Sequence, residues 1–158
     1  MKIGIFIHSQ TGNTLAVAKL LQNRLEQEGH SVVMEQLQVE GKIHPKMKLV
    51  VFAAIPSPDP YDAIILGSPV EAFTLSPVMV QFMKQMARLN GKPVALMLTH
   101  FFPFHKLGGT QALKVMTELA ATKGAHVIGS EIIDWSHRGR EKMISESIGR
   151  LSALFKTN

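Results

Sequence analysis

The chain has 158 residues, of which 46% are hydrophobic and 18% are charged; this suits one compact domain with a buried core and excludes a disordered chain. It contains no cysteine, which excludes disulfides, thiolate nucleophiles, iron–sulfur clusters and thiolate zinc sites. No apolar run approaches the length of a membrane span and no signal peptide is recognisable, so we expect a cytoplasmic protein that does not bind membranes.

The formal net charge is +5, yet Lys and Arg are scattered singly along the predicted helices. This distribution favours a solvated surface, and we predict no binding to nucleic acid.

Short apolar runs alternate with amphipathic segments along the whole chain. The apolar runs predict strands buried on both faces, at residues 2–8, 31–37, 63–67, 93–98 and 127–133. Helical spacing of apolar residues predicts helices over residues 13–28, from Ser76-Pro77 onward, over about 110–123 and over 141–155. Methionine-rich stripes on two of these helices would suit a homodimer, although such stripes are more often part of a core.

Residues 38–60 form the least regular segment. The apolar run at 49–55 predicts either a short strand or a loop inserted into the core. Pro56, Pro58 and Pro60 then impose an extended connection.

Alternating buried strands and helices predict an α/β fold, a doubly wound three-layer sandwich with a five-stranded parallel sheet. In such sheets, ligands bind outside the carboxyl ends of the strands, near the point where the strand order reverses. We therefore expect the binding site in the loops after the first, third and fourth strands.

The loop after the first strand is rich in hydrogen-bond donors. It reads His8-Ser9-Gln10-Thr11-Gly12-Asn13-Thr14 and leads directly into a helix. The helix start offers unpaired N–H groups and the positive end of a dipole, while Gly12 allows a close backbone approach. Because the loop has no lysine and matches neither the nucleotide-triphosphatase nor the dinucleotide pattern, it suits a single terminal phosphate held by hydrogen bonds. The alternative is a simple turn with a helix cap.

With these motifs the chain resembles a flavodoxin over nearly its whole length. Ser9-Gln10-Thr11-Gly12-Asn13-Thr14 matches the family's phosphate signature, S/T-x-T-G-N-T. Tyr61-Asp62-Ala63-Ile64-Ile65-Leu66-Gly67-Ser68-Pro69-Val70 matches its second signature, and Thr99-His100-Phe101-Phe102-Pro103-Phe104 occupies the position of its third loop. The resemblance implies the strand order 2-1-3-4-5 and one domain over residues 1–158 that binds flavin mononucleotide (FMN) without a covalent bond.

The resemblance also implies which residues contact FMN. Phosphate contacts would fall to Ser9, Gln10, Thr11, Gly12, Asn13 and Thr14. Contacts to the isoalloxazine ring would fall to Ser68, Pro69, Val70, Glu71, Ala72 and Phe73, and to Thr99, His100, Phe101 and Phe102. No metal site and no protein catalytic residue is predicted.

Several residues allow two interpretations. Phe101, Phe102 and Phe104 either stack on the ring or anchor their loop in the core. Glu71 would bring a negative charge to the ring, but we expect it to point outward at the surface.

Other polar groups near the predicted loops are less specific. His100 and His105 are candidate donors to a flavin oxygen or a substrate, with His100 the better placed. Gly108-Gly109-Thr110 is either a second anion site or a flexible helix entry. Trp135 lies outside the three loops and is assigned to packing or an interface.

Three functions are compatible with this pattern. An FMN-binding carrier would pass electrons between redox partner proteins, although carriers in this family are usually acidic and this chain has a pI near 9.6. The alternative is an NAD(P)H-dependent reductase of quinones or similar small acceptors. A phosphorylated receiver domain ranks last, since it needs paired acidic residues where His8 and Ser9 stand.

Overall fold

A parallel β-sheet lies between two layers of helices in the computed structural model, which describes residues 1–102 and 108–156. The strands are β1 (Lys2–Ile7), β2 (Ser31–Gln36), β3 (Ala63–Glu71), β4 (Thr74–Leu75), β5 (Pro93–His100) and β6 (His126–Asp134). The helices are α1 (Asn13–Gln27), α2 (Pro77–Gln85), α3 (Gly109–Thr122) and α4 (Arg140–Ala153). None of these helices combines the length and the apolar character needed to span a membrane.

The strand order is β2-β1-β3-β5-β6, with every neighbouring pair parallel. Since the predicted fourth and fifth strands are β5 and β6, the predicted order and the α/β sandwich are confirmed. One element was missed. β3 runs on to Glu71 and turns back into the two-residue strand β4, which pairs with it antiparallel.

Each face of the sheet carries its own core. Helices α2 and α3 cover one face, around Phe6 and Phe82, whose rings stack at a centroid distance of 5.7 Å. Helices α1 and α4 cover the other face, where alternate β1 residues such as Ile5 point. The methionine stripes belong to the first core, because their side chains are buried there: Met79, Met83, Met86 and Met116.

Residues 38–60 contain no strand, and the alternative of a loop inserted into the core is correct. Val50 is buried and Phe52 packs against Phe82, with ring centroids 6.3 Å apart. Leu49 and Val51, which flank Val50, are exposed, so only Val50 and Phe52 of this apolar run pack inward. A single antiparallel bridge, Val39 to Phe52, closes the loop.

Tyr61, the only tyrosine, is buried beside β1, and its hydroxyl donates to Glu35 Oε1 at 2.7 Å. Gly4 is required beneath it, since a Cβ there would lie 2.7 Å from the Tyr61 ring. Burial and the hydrogen bond to Glu35 raise the pKa of Tyr61 to about 12.

We expect ultraviolet absorbance to show the phenol ionising near pH 12 in the folded protein, against 10.0 for an exposed tyrosine. The folded state holds this proton more tightly than the unfolded chain. Its contribution to the free energy of unfolding is therefore complete below pH 10 and is lost as the pH rises toward 12. Glu35→Gln should move the titration toward 10; an unchanged titration would show that the carboxylate has no part in it.

Candidate functional site

A cleft of about 500 Å³ opens at the carboxyl edge of the sheet, where β1, β3, β5 and β6 end. All three predicted loops contribute to its wall, as does the segment after β6. The lining residues are Gln10, Thr11, Asn13, Pro69, Val70, Glu71, Thr99, His100, Phe101 and Trp135.

The loop after β1 forms one end of the cleft. Gly12 caps α1 with a φ of 92°, and a Cβ at this position would meet no atom within 4 Å. Ser9 is turned to the protein, because its Oγ accepts the Leu15 N–H at 3.2 Å. The first helical bond runs from the Ala16 N–H to the Gly12 carbonyl, so the N–H groups before Leu15 have no carbonyl one turn back.

No acidic side chain stands in the first turn of α1, all of which the structure describes. The positive end of the helix dipole therefore has no carboxylate on its own first turn to balance it. Open space at Gly12, free N–H groups and the positive potential of the helix start are what a terminal phosphate requires.

Thr14 has a different position from the rest of its loop. Its side chain is buried, and its Oγ1 lies 2.8 Å from Thr99 Oγ1, so a hydrogen bond joins α1 to the end of β5. Thr14 thus ties two walls of the cleft together beneath the surface, whereas Gln10, Thr11 and Asn13 line the cleft itself.

We expect Thr99→Val to lower the free energy of unfolding by about 2 kcal/mol, because the buried Thr14 hydroxyl would lose its partner. Adding Thr14→Val removes the orphaned hydroxyl, so the double variant should be closer to wild type than the sum of the two single variants. Urea unfolding of the four proteins measures this coupling, and strictly additive losses would contradict the bond.

The second predicted loop is the β3–β4 hairpin. Pro69, Val70 and Glu71 face the cleft, while Ser68 is fully buried and donates through Oγ to the Pro69 carbonyl at 3.0 Å. The tip consists of Ala72 and Phe73, both in the left-handed region with φ of 46° and 63°. These two residues are not among those lining the cleft.

The hairpin tip packs against the start of α3. Gly108, with a φ of 101°, lies so close that a Cβ would come within 2.5 Å of Phe73 Cα. This contact gives a structural reason for the first glycine of the motif Gly108-Gly109-Thr110. Gly108 is there to admit the backbone of the neighbouring hairpin.

Glu71 does not point outward, and the expectation of a surface position is wrong. Its side chain is only 10% exposed, and its Oε1 lies 3.5 Å from Nε2 of His8, which is itself buried. The β3–β4 hairpin holds Glu71 at the carboxyl edge beside β1, and this hairpin was absent from the predicted elements.

The third predicted loop follows β5. His100 is buried and its Nδ1 accepts the Phe102 N–H at 3.0 Å, which turns the chain sharply. Phe101 lines the cleft, and Phe102 stacks on Phe73 at a centroid distance of 5.4 Å. The predicted candidates Phe104 and His105 lie outside the described residues.

Trp135 is the lining residue that sequence reasoning missed. Its backbone N–H donates to the His100 carbonyl at 2.7 Å, and the Arg140 guanidinium lies 4.7 Å from the centroid of its indole ring. The ring also packs against the core under α1 and α4. A signal for this position existed, because Trp135 directly follows the strand that is β5's neighbour in the predicted order, and its backbone therefore reaches the same sheet edge.

The cleft thus has a donor-rich end at α1 and an aromatic part formed by Phe101 and Trp135. This donor set suits a phosphate joined to a flat aromatic ring. Combined with the parallel strand order, it defines the class of flavodoxin-like mononucleotide-binding proteins.

Solved structures share this architecture. Flavodoxin 2 from Bacillus cereus matches with a TM-score of 0.71 and 22% identity, over 98% of this chain and 97% of that one. The flavodoxin of Streptococcus pneumonia TIGR4 matches with a TM-score of 0.68 and 17% identity, over 97% and 96%. A flavoprotein from Lactobacillus acidophilus NCFM, solved in complex with FMN, matches with a TM-score of 0.62 and 17% identity, over 92% and 97%. At these identities the likeness concerns the fold.

No curated protein matches the chain in sequence. The family model described as NADPH-dependent FMN reductase matches residues 1–137, and the chain belongs to that family. It is an FMN-binding, flavodoxin-like redox protein, and the prediction of FMN as the cofactor is confirmed.

Proposed function

We propose that residues 1–158 form one domain that holds FMN in this cleft and exchanges electrons with a redox partner at the cleft mouth. The observation that carries the proposal is the meeting of the α1 N-terminus, the β3–β4 hairpin and the end of β5 around one cavity. When bound, FMN supplies the electron-transfer chemistry, while the protein binds and orients it.

Each wall has its own part in this proposal. The loop of Gln10, Thr11 and Asn13 donates to the phosphate, and Gly12 leaves room for it. Phe101 and Trp135 supply flat apolar surfaces for the ring and exclude water from it.

The experiment is an FMN titration of the purified protein, followed by flavin absorbance and fluorescence. We expect one FMN per chain, with the flavin fluorescence quenched and its spectrum perturbed. A colourless protein that leaves added FMN fluorescent would refute the proposal while leaving the fold intact.

A second candidate function is an NAD(P)H-dependent reductase of quinones or similar small acceptors. The family match favours it, and so does the guanidinium of Arg140, which lies 4.7 Å from the ring centroid of the cleft residue Trp135 and would attract an anionic dinucleotide. Steady-state oxidation of NADPH by the FMN-loaded protein with a quinone tests it. NADPH oxidation no faster than with free FMN would exclude the reductase and leave the electron-carrier role.

Two further expectations stay predictions. A cytoplasmic location is one of them. The other is a homodimer, which loses its sequence support because the methionine stripes are buried in the core.

A further inference from the structure

Two titratable side chains face each other beside the cleft. His8 follows β1 and is 3% exposed, and Glu71 ends β3 with a side chain that is 10% exposed. His8 Nε2 and Glu71 Oε1 are 3.5 Å apart. The His8 N–H donates to the Gly67 carbonyl at 3.1 Å, so its backbone is fixed to β3, the strand that carries Glu71.

Among the described residues, neither side chain has another partner that would balance its charge. Both carboxylate oxygens of Glu71 and the Nε2 of His8 are buried without a hydrogen bond to any described residue. A buried carboxylate with no donor and no counter-charge is costly, commonly by several kcal/mol. Among the described residues, His8 is the one whose side chain lies at ion-pair distance from this carboxylate, with Nε2 3.5 Å from Oε1.

On the neighbouring elements, three described polar groups already have other partners. On β5, the Nδ1 of His100 already accepts the backbone N–H of Phe102. At the end of β6, Asp134 accepts from the N–H and the hydroxyl of Ser136. On helix α1, the hydroxyl of Thr14 is bonded to that of Thr99.

We propose that His8 is a positioning residue that neutralises Glu71 and thereby sets the charge which this wall of the cleft presents to bound FMN. The inference rests on the proposed FMN site and goes beyond it, since it assigns the electrostatic tuning of that site to one pair. With His8 charged, the wall is neutral. Without it, an uncompensated carboxylate repels the dianionic phosphate and, more strongly, the electron-rich reduced cofactor.

The test compares wild type with His8→Gln, Glu71→Gln and the double variant, using the Kd for FMN from fluorescence quenching and the midpoint potential at pH 7. His8→Gln should raise the Kd for oxidised FMN about tenfold. If the reduced cofactor is repelled tenfold further, the two-electron potential falls by about 30 mV. The double variant should return both quantities to within about twofold of wild-type affinity and close to the wild-type potential, because the repelling charge is gone.

His126→Gln is the matched control, since this exposed histidine begins β6 at the opposite edge of the sheet. It should leave Kd and potential unchanged. If His8→Gln behaves like this control, or if Glu71→Gln fails to rescue it, the pair does not tune the site and the inference is overturned.

Failure of the proposed function looks different. A wild-type protein that binds no FMN removes the site, yet the pair can still be measured by urea unfolding of the same four apoproteins. If His8 and Glu71 are coupled, His8→Gln lowers the free energy of unfolding, and adding Glu71→Gln restores it. Additive losses would show that no ion pair exists.

Discussion

Replacing Asn13 by Asp is expected to weaken FMN binding about 100-fold, or about 2.7 kcal/mol, without weakening the fold. Asn13 is the first residue of α1 and lines the cleft. A carboxylate there lies within about 6 Å of the proposed phosphate, and at an effective dielectric constant of about 40 its repulsion of a dianion has this size. The same charge sits at the positive end of the helix dipole and should stabilise the apoprotein by about 0.5 kcal/mol.

Opposite signs for binding and stability make this prediction sharp. Riboflavin, which lacks the phosphate, is the matched ligand, and its affinity should change little. Fluorescence titrations with both flavins and urea unfolding of the apoprotein measure the three quantities. An equal loss for FMN and riboflavin would place the phosphate elsewhere than at α1.

Replacing Gly108 by Ala is expected to cost about 3 kcal/mol of unfolding free energy and to weaken FMN binding about tenfold. A left-handed backbone costs an L-residue about 1–2 kcal/mol, and the added Cβ would overlap the Phe73 backbone, with 2.5 Å to its Cα. Backbone atoms cannot swing away as a side chain does. The hairpin must therefore move, and with it Val70 and Glu71 in the cleft wall.

Gly91→Ala separates the two contributions. Gly91 has a φ of 81° but open space around its Cβ position, so it carries the conformational cost without the overlap. We expect about 1 kcal/mol for Gly91→Ala and no change in FMN affinity. Equal losses for the two variants would mean that the start of α3 does not hold the hairpin tip.

The sheet order and the position of the cleft follow from the sequence because they depend on local patterns. Continuous apolar runs mark strands buried on both faces, and right-handed crossovers leave few arrangements of them. The loop of residues 9–14 could be predicted as a binding loop because it is rich in hydrogen-bond donors and follows β1. Pro77 marked the start of α2 correctly.

What the sequence did not predict depends on contacts between distant segments. The turn at Ala72 and Phe73 contains no glycine or asparagine, the residues that usually signal a left-handed backbone. Its tip packs instead against Gly108, which is distant in the sequence. Without that hairpin, the inward direction of Glu71 and its pairing with His8 could not be foreseen. Trp135 was assigned to packing or an interface because it lies far along the chain from the three loops. Its strand, β6, nevertheless ends at the same carboxyl edge of the sheet as β5.

The position of Trp135 also allows tryptophan fluorescence to report whether the cleft is occupied. It is the only tryptophan in the chain, and its ring lines the cleft. Indole emission therefore comes from one place, where a flavin within contact range accepts the excitation energy. Loss of tryptophan fluorescence on adding a flavin, and its return on displacement, can report occupancy of the cleft in the unmodified chain with no label attached.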